Sequence, residues 1–210
     1  MRVPSLQEAE ALLSEAKRRN SGPWVQHSIY VAKAAEAIAS YHPELDPTTA
    51  LILGYLHDIG RQEGVTDMRH ALDGYTILNE RGFSDAAQIC LTHSFPMAEQ
   101  RRAETAAGTW DCSAEELAFV DSYLEAVAYS DYDRLLQLCD CLAVASGFCL
   151  IEKRFVDVVT RHGFNEHTIP RWKAYLGLQE SFESAIGRSI YSILPGVVEN
   201  TFGFSQEEPG

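Results

Sequence analysis

Residues 51–61 read LILGYLHDIGR. Five of the six residues ahead of the His57-Asp58 pair are large and apolar or aromatic, and only Gly54 interrupts them. An imidazole beside a carboxylate at the end of such a run has two explanations. Either the pair is the wet end of a core helix, or something buried requires it. The answer depends on what the rest of the chain sends to the same place.

Outward from this stretch the punctuation is helical. Asp46-Pro47 opens the helix that carries it, with Pro47 suited to a first turn. Upstream, residues 5–19 place Leu6, Ala9, Leu12, Leu13 and Ala16 on one face, and Pro23 starts a helix running to about Ser40. Downstream, Thr66 is expected to cap a helix to Arg81, stopped by Gly82, and Ser84 to cap another through His93. Ser113 to Glu116 matches a capping box, and Ser130 begins a helix through Asp140 that should end near Gly147. Two amphipathic helices follow, over about 149–161 and from Thr168 to about Gly187. No stretch reads as a convincing strand, and no repeat is visible. The fold class is all-α.

Bulk properties narrow the function. The chain has 210 residues and a net charge of −13, from 30 acidic and 17 basic side chains. A long nucleic-acid polymer would be repelled by it. The five cysteines show no CxxC pair, which argues against a disulfide framework or a structural zinc site and favours a reducing cytoplasm. No segment approaches the roughly 18 apolar residues of a membrane span, and the charged N-terminus lacks the apolar region of a signal peptide.

Helical spacing sets six ionisable groups on apolar stripes. His27 shares a face with Trp24, Val31, Ala34 and Ile38, and His70 with Gly74, Ile77 and Leu78. His93 follows Ile89 and Cys90, and Asp140 sits with Leu136, Ala143 and Val144. Singly, each is an ordinary hydrogen-bonded core residue. Together with His57 and Asp58 they place two carboxylates in the interior, where an unpaired charge costs several kcal/mol. No Lys or Arg lies on the Asp140 stripe. A divalent cation would satisfy the carboxylates and several neutral imidazoles at once. Four imidazoles and two carboxylates suit iron, manganese, cobalt, nickel or zinc better than calcium or magnesium. Six ligands exceed the needs of one open ion, so two are expected: Asp58 bridging, with His27, His57 and Asp140 on one and His70 and His93 on the other.

The order His27, His57-Asp58, Asp140 resembles the H…HD…D signature of the HD-domain superfamily of metal-dependent phosphohydrolases, and LHDIGR looks like its central motif. The resemblance spans about residues 20–145 and implies a helical bundle. It frames the chain as a single HD-type domain over 1–202, with C-terminal helices over 148–200; the tail over 203–210 has nothing to bury and is expected to be flexible. His70 and His93 are similar to the extra ligands of binuclear branches, which include diadenosine tetraphosphate hydrolases and HD-GYP cyclic-dinucleotide phosphodiesterases. The chain departs from the latter: Asp73-Gly74-Tyr75 follows His70, with no GYP tripeptide.

For a phosphohydrolase the resemblance implies a small phosphorylated substrate such as a nucleotide and attack by metal-activated water. Asp58 is then both ligand and catalytic group, and Arg61 reaches back to a phosphate. The alternative for Arg61 is a cation at a helix C-terminus. Binuclear HD proteins also include di-iron oxygenases, and a third reading is a non-catalytic nucleotide-binding regulatory domain. Lys153 and Arg154, a second basic pair after Asp140, read as a solvated face in preference to a phosphate clamp. His42, His162 and His167 read as loop or helix-end residues, and the thiols flanking Asp140 as small hydrophobes. Trp24 is a weak candidate for stacking on a base. The C-terminal helices have two uses open to them: covering the site and selecting substrate, or forming the face of a homodimer.

Overall fold

The carboxylate of Asp46 accepts hydrogen bonds from the backbone N–H and the hydroxyl of Thr49, both at 2.7 Å, and so caps the helix that carries the quoted stretch. In the computed structural model, which describes residues 1–97 and 110–203, that helix is the third. The order is α1 (Leu6–Arg19), α2 (Pro23–Ala39), α3 (Pro47–Leu56), a 3-10 turn (Ile59–Glu63), α4 (Arg69–Glu80) and α5 (Ser84–Thr92). Then come α6 (Ala114–Ala126), α7 (Asp131–Cys141), a hairpin of β1 (Ala143–Val144) and β2 (Gly147–Phe148), α8 (Ile151–His162) and α9 (Thr168–Ile186). A second 3-10 turn (Ile190–Ser192) and α10 (Val197–Phe202) complete it. The fold is all-α, as expected. The expected flexible tail, apart from Gly203, lies outside the described residues.

Helix starts follow the sequence where the capping chemistry is reciprocal. Ser5 with Glu8, Ser113 with Glu116 and Ser130 with Asp133 each form a capping box. Two expected caps do not form. Helix α4 begins at Arg69 rather than after Thr66, whose hydroxyl is buried without a hydrogen-bond partner among the described residues. Helix α5 includes Ser84, with Phe83 at the cap position. Helix α7 stops at Cys141, short of Gly147. The chain instead folds back as the hairpin, pairing Ala143 with Phe148 and Val144 with Gly147. Gly147 has φ of 149°, which a side chain would resist, and this allows the reversal.

Helix α2 is central, packed on α3, α7 and the hairpin. Ile38, Leu53, Leu56, Leu135, Leu136 and Leu138 are fully buried between these elements, each contributing about 1.5–3 kcal/mol of apolar burial. A smaller cluster of Ala71, Leu72, Leu91, Phe95, Trp110, Val120 and Leu124 lies under α6, with Phe95 stacked on Trp110. Helices α8 and α9 pack on α7, held by the Phe155–Trp172 stack, and α10 packs on β2. Among the described residues no helix is long and apolar enough to cross a membrane.

Two glycines set how closely the central helices approach. A Cβ on Gly54 would lie 2.3 Å from the Cα of Ala32, so only glycine lets α3 reach α2. A Cβ on Gly60 would lie 2.0 Å from the carbonyl oxygen of His70 and 2.4 Å from the nitrogen of Gly74, so the 3-10 turn sits directly on α4. Both contacts join segments that carry ionisable residues of the interior.

Candidate metal centre

His57 caps the C-terminus of α3, and Asp58 follows before the 3-10 turn. Neither meets water: His57 is 1% and Asp58 3% exposed. The structure brings all six singled-out residues together. His27 comes from α2, His70 from the first turn of α4, His93 from the end of α5 and Asp140 from the last turn of α7. Nitrogen and oxygen ligand atoms of His27, His57 and Asp140 lie within 4.8 Å of one another, as do those of His57, Asp58 and His93. His70 Nε2 is 3.1 Å from Asp58 Oδ1, and His93 Nε2 is 3.8 Å from the same oxygen. The first group is the expected set of His27, His57 and Asp140, and His57 also belongs to the second, where Asp58 meets His93 and His70.

Three of the imidazoles are oriented by one local device. Nδ1 of His57 bonds the carbonyl of Gly54 at 2.8 Å, Nδ1 of His93 that of Cys90 at 3.0 Å, and Nδ1 of His70 that of Asp67. Each carbonyl lies three residues upstream. Since a carbonyl only accepts, Nδ1 carries the proton, and in the neutral ring the Nε2 lone pair faces the cluster. Burial drives the His57 imidazole down to about 4 against the pull of Asp58, and burial likewise lowers His93, so both rings are neutral. Among the described residues, Nε2 of His57 and Oδ1 of Asp58 are buried without a hydrogen-bond partner. His57 Nε2 lies 3.8 Å from both Asp58 Oδ2 and Asp140 Oδ1. A lone pair facing two carboxylates repels them unless a cation stands between. The donor set thus fits a divalent transition metal.

His27 is held differently, through Nε2 on Asp140 Oδ1 at 2.7 Å. Among the described residues it has no carbonyl tether. Burial opposes ionisation of both carboxylates. The Arg61 guanidinium outweighs it at Asp58. At Asp140 the His27 bond and Arg154 do so, and both groups stay ionised.

Arg61, expected to reach a phosphate, turns back onto Asp58. Its Nε donates to Asp58 Oδ2 at 2.6 Å, and its Nη2 lies 3.2 Å from His70 Nε2. The Asn20 side chain bonds the Arg61 carbonyl at 2.6 Å, fixing the turn that presents it. A second arginine corrects the reading of Arg154 as solvated: it brings a cation to Asp140 from another helix, α8. The Arg154 side chain is 17% exposed, and its Nη2 lies 3.8 Å from Asp140 Oδ1. The signal was present: Arg154 is three residues after Ile151 and beside Phe155, both buried on the inner face of α8. Lys153 donates instead to the carbonyls of Asn200 and Thr201.

A buried polar relay that the stripes did not reveal joins α5 to α7. Asp133 accepts from the Thr92 hydroxyl at 2.6 Å and from Gln88 at 2.9 Å. Gln137 donates to the carbonyls of Thr92 and Phe95, on either side of His93. The remaining histidines stay apart, as expected: His42 packs by Phe182, and His162 and His167 sit at helix ends. Trp24 donates its indole N–H to the Asn20 carbonyl.

A family model described as HD domain matches residues 24–145, a span that takes in all six converging residues and stops before Arg154. No curated protein and no solved structure matches the chain. With more than half its length matched, the chain belongs to the HD domain family, whose members are mostly metal-dependent phosphohydrolases and bind divalent metal.

Proposed function

We propose that the protein is a metal-dependent hydrolase of a nucleotide or another small phosphate ester or anhydride. One observation carries the reading: three carbonyl-tethered imidazoles aim Nε2 at two ionised carboxylates, with a guanidinium at the edge. His27, His57, Asp58, His70, His93 and Asp140 are the residues that would hold metal, two ions of iron, manganese, cobalt, nickel or zinc. Such ions supply a hydroxide nucleophile near neutral pH and offset charge on phosphoryl oxygens. Asp58, held ionised in the interior, offers Oδ1 to the centre and orients the attacking water. Arg61 keeps Asp58 in place through Nε and offers its Nη groups to phosphoryl oxygens.

Full-length protein loaded with manganese, iron or cobalt is expected to release phosphate from, or split, at least one member of a panel of nucleotides and phosphate esters. Absence of turnover across the panel, with metal content confirmed, overturns the reading. Oxygen uptake by iron-loaded protein would point instead to oxygenase chemistry, and tight nucleotide binding without turnover to a regulatory domain.

A further inference from the structure

Arg154 lies outside the matched HD segment, yet its guanidinium approaches Asp140 in the centre. Its hydrogen bonding is incomplete. Nη1 donates to Asp157 Oδ2 at 3.1 Å, whereas Nη2 stands 3.8 Å from Asp140, beyond hydrogen-bond distance. Nε is buried with no partner among the described residues. Buried donors without acceptors are costly, and a guanidinium has five N–H groups to satisfy. Asp140 does not fill the need, because its nearest oxygen, drawn to Nε2 of His27 at 2.7 Å, stays out of hydrogen-bond reach of Arg154. Asp157 holds the outer edge of the guanidinium and is itself balanced by Arg161, at 2.8 Å.

Charge points the same way. Asp58 and Asp140 bring two negative charges, and Arg61 and Arg154 bring two positive ones. Any divalent ion then leaves the centre positive, within a chain whose net charge is −13. Arg61 stands by Asp58 and Arg154 by Asp140, and both carboxylates come within 3.8 Å of His57 Nε2. The arginines therefore flank the cluster at opposite carboxylates.

We propose that Arg154 is an anion-binding residue of this centre, meeting phosphoryl oxygens on the Asp140 side while Arg61 meets them on the Asp58 side. The inference rests on the phosphohydrolase reading and sharpens it. The substrate presents a phosphate or diphosphate group with negative oxygens on two sides, and the C-terminal helices select it by supplying Arg154.

The test is calorimetric titration of inorganic phosphate into manganese-loaded, full-length protein, with metal content measured in each sample. Arg154→Gln is expected to retain the metal and weaken phosphate binding about 10- to 100-fold, the size of a charge-assisted hydrogen bond. In turnover assays the loss should appear in KM more than in kcat. Arg154→Lys preserves a charge beside Asp140 but lacks the fork, so it should fall between parent and Gln variant, at least about threefold weaker than the parent. Unchanged phosphate affinity in the Gln variant overturns the proposal. Loss of metal in step with loss of phosphate does so too, because Arg154 would then be only a counter-charge for Asp140. If the Gln variant does not fold, the Lys variant decides, and parental affinity there overturns the proposal. The two readings fail separately: Arg154-dependent phosphate binding without any turnover removes the hydrolase, while turnover with Arg154-independent binding removes only this inference.

Discussion

The two ends of the centre are built by different means. At the Asp58 end, His57, His70 and His93 are 1–3% exposed, and each ring is tied to a carbonyl of its own segment. At the Asp140 end, His27 rests on the carboxylate it would share a metal with, and Asp140 is 17% exposed. That end also borrows Arg154 from a helix beyond the matched family segment. The difference teaches where variation is tolerable. The three imidazoles of the Asp58 end are aimed by their own segments, while the Asp140 end leans on a contact between α2 and α7 and on Arg154 from α8.

The largest expected effect comes from breaking the rigid end. Asp58→Ala should abolish metal retention and lower kcat/KM by more than about 100-fold, beyond the range seen when only an outer partner of a ligand is removed. Elemental analysis and turnover of the same sample check it, and full activity there would undo the whole scheme. His27→Ala should act on the open end alone. Metal content is expected to fall from two ions to one, with the Asp58 end still loaded, and equal loss from both variants would erase the contrast. Gly54→Ala tests the contact between α2 and α3 that sets His27 against His57, whose ring centres are 5.4 Å apart. The added methyl forces the backbone at Ala32 to move, at about 1–3 kcal/mol, read as a lower denaturation midpoint with an unchanged slope. The smallest effect belongs to Glu63→Gln, which removes an ion pair with Arg19 in which both side chains are more than a third exposed. It should cost under about 1 kcal/mol and leave metal content untouched.

The six converging residues were legible because a charged or imidazole side chain on an apolar helical stripe has few places to go. The same logic placed α2, α3 and α7. Arg154 escaped because Lys153 beside it makes the pair look like surface, although its spacing from Ile151 put it on the buried face. The Asp133–Thr92–Gln137 relay escaped for another reason: its members bond across two helices, and spacing within one helix carries no trace of that. The hairpin after α7 has two residues per strand, too few for alternation to show. The missed cap at Thr66 reflects competition near His70. There the imidazole claims the Asp67 carbonyl, and the helix begins two residues beyond that carbonyl, at Arg69.

The three carbonyl tethers also bear on how the site assembles. Each spans only three residues, so a ring can be aimed by its own segment without help from any other. Rotamer freedom worth up to a kcal/mol or so per side chain is then lost during folding rather than during metal uptake. For these three rings docking of prepared helices is all that remains, and an arriving ion would meet their donors already facing it. Its capture is then set by shedding water rather than by waiting for side chains to find their places.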